Sequence, residues 1–330
     1  KSNFDLKISN FIDRKVKENM RGMFQLEIFS SKDDNIVFPF PAVMVYYGNG
    51  NGEYSCVHSA GRTLENEILG EEKFDETNFY CKLNNEITPF IHLFTGSNSY
   101  IKDISIEIFS IKNELVQILK IPDLTKNYQS EIIYLNDYLN TTQKKFLNKL
   151  PRFFLKIKGT SKGIFPRFIV GNYSKFKKMH YVTHSFRNVK ENDFITCEDQ
   201  YQIKYLSSIA LTTPPNITLR SIIYPTCGDE IAVDAIKFEN IKNRTSLYKT
   251  SKEKIKLNIG SIGGKIQINE IQNNSSTGLL TLKSSQVPSR INCGLEFFSK
   301  KSYHPTDIAL QLRPVFFRKK SNFWGHIDVF

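Results

Sequence analysis

The stretch PRFIVGNYSKFKKMHYVTHSFRN, residues 166–188, decides how this chain is read. It opens on Pro166, runs through a β-rich segment, crosses the polar tip Lys175-Phe176-Lys177-Lys178 and climbs a second β-rich segment to His184. The same phrase occurs twice more, as PAVMVYYGNGNGEYSCVHSAGRT at 41–63 and as PSRINCGLEFFSKKSYHPTDIAL at 288–310. Proline to histidine spans 17 residues from Pro41 to His58, 18 from Pro166 to His184 and 16 from Pro288 to His304. Self-similarity at a fixed long spacing is information about architecture. In the first copy, Gly48-Asn49-Gly50-Asn51-Gly52 supplies the positive φ angles that a tight hairpin turn needs. A proline at the first position of a strand removes no ladder donor from inside the sheet, so the three prolines fit a strand start.

Around the phrase the chain reads almost wholly as strands. Phe24–Phe29, Ala42–Tyr47, Tyr54–His58, Thr77–Leu83, Phe90–Phe94, Ile104–Phe109, Leu115–Ile121 and Glu131–Leu135 are expected strands in the first part. Phe153–Ile157, Arg167–Val170, Tyr201–Leu211, Thr218–Tyr224, Ile231–Phe238, Ile255–Ile259 and Lys265–Ile268 continue the series. The repeat unit is about 125 residues, far longer than a solenoid unit. Many short strands separated by turn signals argue for sandwiches or barrels. The expected fold is therefore all-β: tandem duplicated β-sandwich modules, Ig-like or jelly-roll-like, behind a short N-terminal helix or linker. The expected boundaries are 1–35 for the partly helical N-terminal segment, 36–163 for the first module and 164–330 for a second, basic module. A third, partial copy of the phrase completes that second module. The helical reading of the first segment rests on Phe4, Leu6, Ile8, Phe11, Ile12, Val16 and Met20, which partly follow a 3.6-residue period.

The net charge of +12 is unevenly placed. Residues 1–150 hold 17 Lys+Arg against 20 Asp+Glu, a net of −3, and residues 151–330 hold 28 against 13, a net of +15. A half with that charge attracts polyanions: acidic glycans, nucleic acid, anionic lipid headgroups or an acidic protein face. The five cysteines, Cys56, Cys81, Cys197, Cys227 and Cys293, are odd in number and contain no C-x-x-C pair. They resemble neither a disulfide framework nor a zinc site. Free thiols favour a reducing, cytoplasmic setting; export stays open, with Cys56 and Cys81 as the pair that would then join. No apolar run reaches the 18 residues of a transmembrane helix.

Six histidines offer the first candidates for chemistry. His58, His184 and His304 close the three phrases, and imidazole suits both proton transfer and metal binding. One histidine per repeat is poor spacing for a metal, however, and a strand-end histidine bonded to a turn accounts for the pattern. His180 and His184 would share a face on a strand but lie about 13 Å apart, too far for one ion. No nucleophile elbow, H-E-x-x-H run, Walker loop or dinucleotide fingerprint occurs. Gly260-Ser261-Ile262-Gly263-Gly264 sits between two β stretches and reads as a hairpin. Glu198 and Asp199 are carboxylates that a site built on His58, His184 or His304 would recruit. Neither a metal nor a cofactor is expected.

Basic, aromatic-bearing tips are the stronger signal. Lys175-Phe176-Lys177-Lys178 is matched in the third copy by Lys300, Lys301 and Tyr303, while the first copy has an uncharged tip. Arg318 and Lys319 lead to Trp324. Cations interleaved with rings bind phosphate, sulfate or carboxylate groups and stack on flat ligands. The expected function is non-catalytic: binding or helping to assemble an anionic glycan or another surface polymer. A carbohydrate- or metabolite-active enzyme with a His/carboxylate site between the modules is the alternative, and a nucleic-acid binder is the second. A β-sandwich as such carries no activity with it. Its edge strands leave a dimer open.

Overall fold

The computed structural model describes residues 7, 10, 44–48, 54–58, 70–164 and 166–187, and beyond them the strand segments 204–213, 218–224, 231–241, 250–257, 261–262, 267–271, 276–284, 292–299, 302–306 and 313–315. The proposed N-terminal helix and the strand expected at Phe24–Phe29 lie outside the described residues. What is described is mostly strands in antiparallel sheets, with few helices.

Strands β1 (Met44–Gly48) and β2 (Tyr54–His58) pair as a hairpin. Nine strands follow: β3 (Glu72–Cys81), β4 (Ile87–Phe94), β5 (Tyr100–Ser110), β6 (Leu115–Lys120), β7 (Ser130–Tyr134), β8 (Phe153–Lys162), β9 (Ile169–Ser174), β10 (Met179–His184) and β11 (Phe186–Arg187). They form a five-stranded sheet ordered β11-β3-β8-β5-β6 and a four-stranded sheet ordered β10-β9-β4-β7. Alternation explains which face each strand buries. In β8, Leu155 and Ile157 are fully buried, while Lys156 and Lys158, on the other face, are only partly so. Ile106, Ile108, Leu155 and Ile157 of one sheet join Ile91, Leu93, Ile133 and Val170 of the other in a single hydrophobic core. Each such side chain contributes about 1.5–3 kcal/mol by leaving water.

The strands of residues 169–187 thus belong to the sheets of β3–β8, across the boundary expected at 163/164. Pro166 is buried and lies three residues ahead of β9, in the connection rather than at the strand's first position. Pro41 and Pro288 lie outside the described residues.

Ten further strands are β12 (Lys204–Thr213), β13 (Thr218–Tyr224), β14 (Ile231–Ile241), β15 (Thr250–Leu257), β16 (Ser261–Ile262), β17 (Gln267–Ile271), β18 (Ser276–Ser284), β19 (Asn292–Ser299), β20 (Ser302–Thr306) and β21 (Arg313–Val315). One sheet is ordered β15-β14-β18-β12-β21, with β16 beside β14, and the other β17-β13-β19-β20. Set β16 aside, and the two orders repeat those of β3–β11 strand for strand. The three phrases fall on the hairpins β1–β2, β9–β10 and β19–β20.

Between β7 and β8 lie the one-turn α1 (Leu135–Tyr138) and α2 (Thr141–Lys149), a helix that the strand-dominated reading passed over. Its start was legible. Asn140 accepts from the backbone of Gln143, and the Gln143 side chain accepts from the backbone of Asn140, so N-x-x-Q forms a capping box. Leu147 anchors the helix in the core.

A lone two-stranded hairpin is marginal in water. β1–β2 docks instead, with Val57 buried in the core and Val45 and Tyr47 packed against it. Burial pushes the Tyr47 phenol up to about 12. β10 is the edge of its sheet, and Ser55 of β2 covers that edge. Its hydroxyl accepts from the Val182 N–H at 3.0 Å and donates to the Val182 carbonyl at 3.4 Å. Such cover satisfies backbone groups that an open edge would present to other chains. No disulfide joins Cys56 to Cys81; Cys81 is a buried thiol whose pKa desolvation raises well above the usual value.

Gly171 in β9 is fixed by space. A Cβ there would stand 1.9 Å from the Tyr181 carbonyl oxygen, a backbone atom that cannot swing aside. Gly171→Ala is expected to destabilise the fold by about 1–3 kcal/mol, the usual cost of forced overpacking. Urea unfolding checks this; an unchanged midpoint would show that the strand yields at no cost.

Candidate functional site

The β9–β10 hairpin carries the basic tip. Ser174 pairs with Met179, so residues 175–178 form a four-residue turn. Three local features fix it. The Lys175 N–H donates to the Glu86 carbonyl at 2.8 Å, the Lys177 N–H donates to Ser174 Oγ at 3.2 Å, and Lys178 takes a left-handed φ of 48°. Lys175 and Lys178 are exposed, Lys177 is half-buried, and Phe176 is 84% exposed. Turn and charge therefore fall where the sequence puts them.

Directly behind the tip, Tyr173 faces His180 across the two strands. Their rings lie 4.6 Å apart. The Phe90 ring meets His180 edge-on at 4.8 Å, and the Tyr134 hydroxyl hydrogen-bonds His180 Nε2 at 2.9 Å. Strand spacing makes these contacts informative. Phe90 on β4 is two strands from His180 on β10, about 10 Å, and Tyr134 on β7 is three strands away, about 14 Å. Both rings must lean across the sheet. Gly171, which carries no side chain, lies between Phe90 and Val182 in the register. An aromatic lying over a strand glycine also compensates for the packing that the glycine lacks. His180, Tyr173 and Tyr134 remain partly exposed. The result is a half-open patch of rings continuous with the lysine tip.

The other histidines in this sheet are tied into structure. His92 Nε2 lies 2.6 Å from Ser130 Oγ. His184 is 4% exposed, and its Nδ1 lies 2.6 Å from the Ser185 carbonyl. A carbonyl only accepts, so Nδ1 carries the hydrogen. His180 and His184 sit on the same face of β10, four residues apart.

Next to His184, Ser185 Oγ accepts from the Phe168 N–H at 2.9 Å and donates to Glu76 Oε2 at 2.6 Å. Glu76 is 2% exposed. Desolvation pushes its carboxyl up to about 8, against the lowering influence of Ser185, Arg167 and Arg187. With both partners buried, the pair pins β3 to the chain between β10 and β11.

Two other expected groupings lie on other strands. His58 lies on β2 opposite Met44, and Tyr303 and His304 lie on β20 opposite Phe298 and Phe297. Glu198, Asp199, Lys300, Lys301, Arg318, Lys319 and Trp324 lie outside the described residues. Among the described residues, no group of three or more His, Cys, Asp or Glu side chains could hold a metal ion, and no helix is long and apolar enough to cross a membrane.

Sequence reasoning missed Tyr173, Phe90 and Tyr134. Tyr173 was within reach: a turn at 175–178 pairs 174 with 179, and so 173 with 180. Tyr134 and Phe90 gave no comparable sign. Comparison with protein-family models, with curated proteins and with solved structures finds no match.

Proposed function

We propose that the chain is a non-catalytic tandem of two β-sandwich modules that binds an anionic glycan or another anionic surface polymer at the end of the β9–β10 hairpin. One observation carries this reading: the tip holds Lys175, Phe176 and Lys178 exposed on a turn fixed by three local features, continuous with a half-open patch of rings. A turn whose backbone is fixed before binding spares the entropy of ordering that backbone, which favours recognition over mere solubility. The net +15 of residues 151–330 draws a polyanion toward that half of the chain. The tandem reading is supported by the strand order that recurs from β3–β11 to β12–β21, and on that reading the module boundary falls between 187 and 204. The non-catalytic reading is supported by His92 and His184, whose ring nitrogens serve structural hydrogen bonds.

The test is the salt dependence of binding to a sulfated polysaccharide. Affinity is expected to fall steeply and log-linearly with salt, and Lys175→Ala/Lys178→Ala is expected to lower the slope by about 1–2, since each neutralised charge contributes roughly 0.7–0.9. Binding that ignores salt, or a double variant with the slope of the parent, would reject the tip as the site.

A further inference from the structure

We infer that the unit held at this hairpin end is a sugar ring bearing a sulfate or carboxylate, with the ring against Phe176 and the charge between Lys175 and Lys178. The inference rests on the polyanion reading above and narrows it to one chemistry.

The turn itself does not ask for a phenylalanine. Its closure uses a left-handed residue at 178, the Ser174 hydroxyl and the Glu86 carbonyl. None of these involves the side chain at 176, which stands 84% exposed between lysines. Leaving an aromatic ring in water forgoes the burial that normally stabilises it. At a hairpin tip, that ring offers a flat face to a ligand and nothing to the core. A charged sugar ring engages both features together: its apolar face covers Phe176 while its acidic group meets the cations. A polyanion without rings engages the lysines only.

The surroundings argue against a continuous run of phosphates. Glu86, exposed and bonded through its own carbonyl to the Lys175 N–H, places a negative charge beside the tip. The positive field is thus a spot rather than a stripe, suited to charges spaced by intervening rings. Tyr173 and His180, the first pair behind the turn, extend the aromatic surface in the direction a second ring would take.

Binding of the full chain to dextran sulfate, to inorganic polyphosphate and to phosphatidylserine vesicles tests this, with three variants at a position too exposed to unfold the protein. Phe176→Ala and Phe176→Leu are each expected to weaken dextran sulfate binding about tenfold, the low end of what one aromatic stack contributes. Phe176→Tyr, which keeps the ring, is expected to stay within about twofold of the parent on the same grounds. All three should bind polyphosphate as the parent does, while Lys175→Ala/Lys178→Ala weakens both polyanions. Equal dextran sulfate affinity for all three Phe176 variants and the parent would overturn the inference and leave the polyanion reading standing. Tighter binding to vesicles, with Phe176→Leu as good as the parent, would overturn it in favour of apolar insertion into a membrane surface. No binding of the parent to either polyanion at low salt would overturn both readings.

Discussion

Glu296→Ala is expected to cost the fold about 3–5 kcal/mol, because it leaves buried charge without its partner. Glu296, on β19, is 1% exposed. Arg152, in the connection that leads into β8, is 4% exposed and donates to Glu296 Oε2. Arg220 approaches the same oxygen at 3.5 Å from the facing position on β13. One carboxylate therefore serves two guanidinium groups, and one of them comes from 144 residues away in the first set of sheets. The contact ties the β19–β20 hairpin to β3–β11 on the side where β10 lies against β20. Removing the carboxylate strands a nearly inaccessible cation beside a second one. Replacing both members of the buried pair should cost much less. Arg152→Met/Glu296→Leu removes the two most buried charges and keeps apolar volume, an exchange that is often neutral, and leaves in place Arg220, whose side chain is 17% exposed. Urea unfolding of Arg152→Met, Glu296→Leu and the double variant gives the coupling energy. A coupling below about 0.5 kcal/mol, the size expected of independent sites, would show that the pair does not act as a unit.

That ion pair marks the limit of what the chain discloses on its own. Strands were legible because residues such as Leu155, Lys156, Ile157 and Lys158 alternate, and alternation is a local property. The turn at 175–178 was legible because lysine-rich polar residues interrupt two β-rich runs. Which strands become neighbours is not local. Nothing in Arg152 or Glu296 as sequence points to the other, and nothing in Tyr134 announces a bond to His180 three strands away. α2 was passed over although its capping box is written at 140–143, because a helix of only nine residues competes poorly with strand signals on both sides. For the candidate site the division is the same. The exposed tip could be read from charge and turn residues, whereas the ring patch behind it depends on the order of the strands in the sheet.

Glu76→Gln is expected to remove a pH dependence from folding. Burial holds the Glu76 carboxyl near 8 in the fold against an ordinary value of 4.5, so the folded chain keeps a proton that the unfolded chain releases. The sign follows directly. Between those two values the native state binds more protons than the unfolded state, so stability falls as pH rises. The contribution is complete below about pH 4.5, declines through neutrality and is lost by about pH 8, with a total of about 3–5 kcal/mol at 1.36 kcal/mol per unit. Glutamine keeps a carbonyl oxygen to accept from Ser185 Oγ and cannot ionise. Its added amide donors cost about 1–2 kcal/mol if they find no partner, so at low pH the variant should be slightly less stable than the parent. The two stabilities should cross between about pH 5 and 6, and at pH 8.5 the variant should be the more stable by about 2–3 kcal/mol on this arithmetic. Histidines and other carboxylates titrate in both proteins alike, so the difference between the two profiles isolates Glu76. Denaturant midpoints from pH 4.5 to 8.5 are the measurement. Parallel profiles would mean that Arg167 and Arg187 hold Glu76 ionised throughout, and that β3 is pinned to Ser185 by a charged carboxylate rather than by a neutral acid.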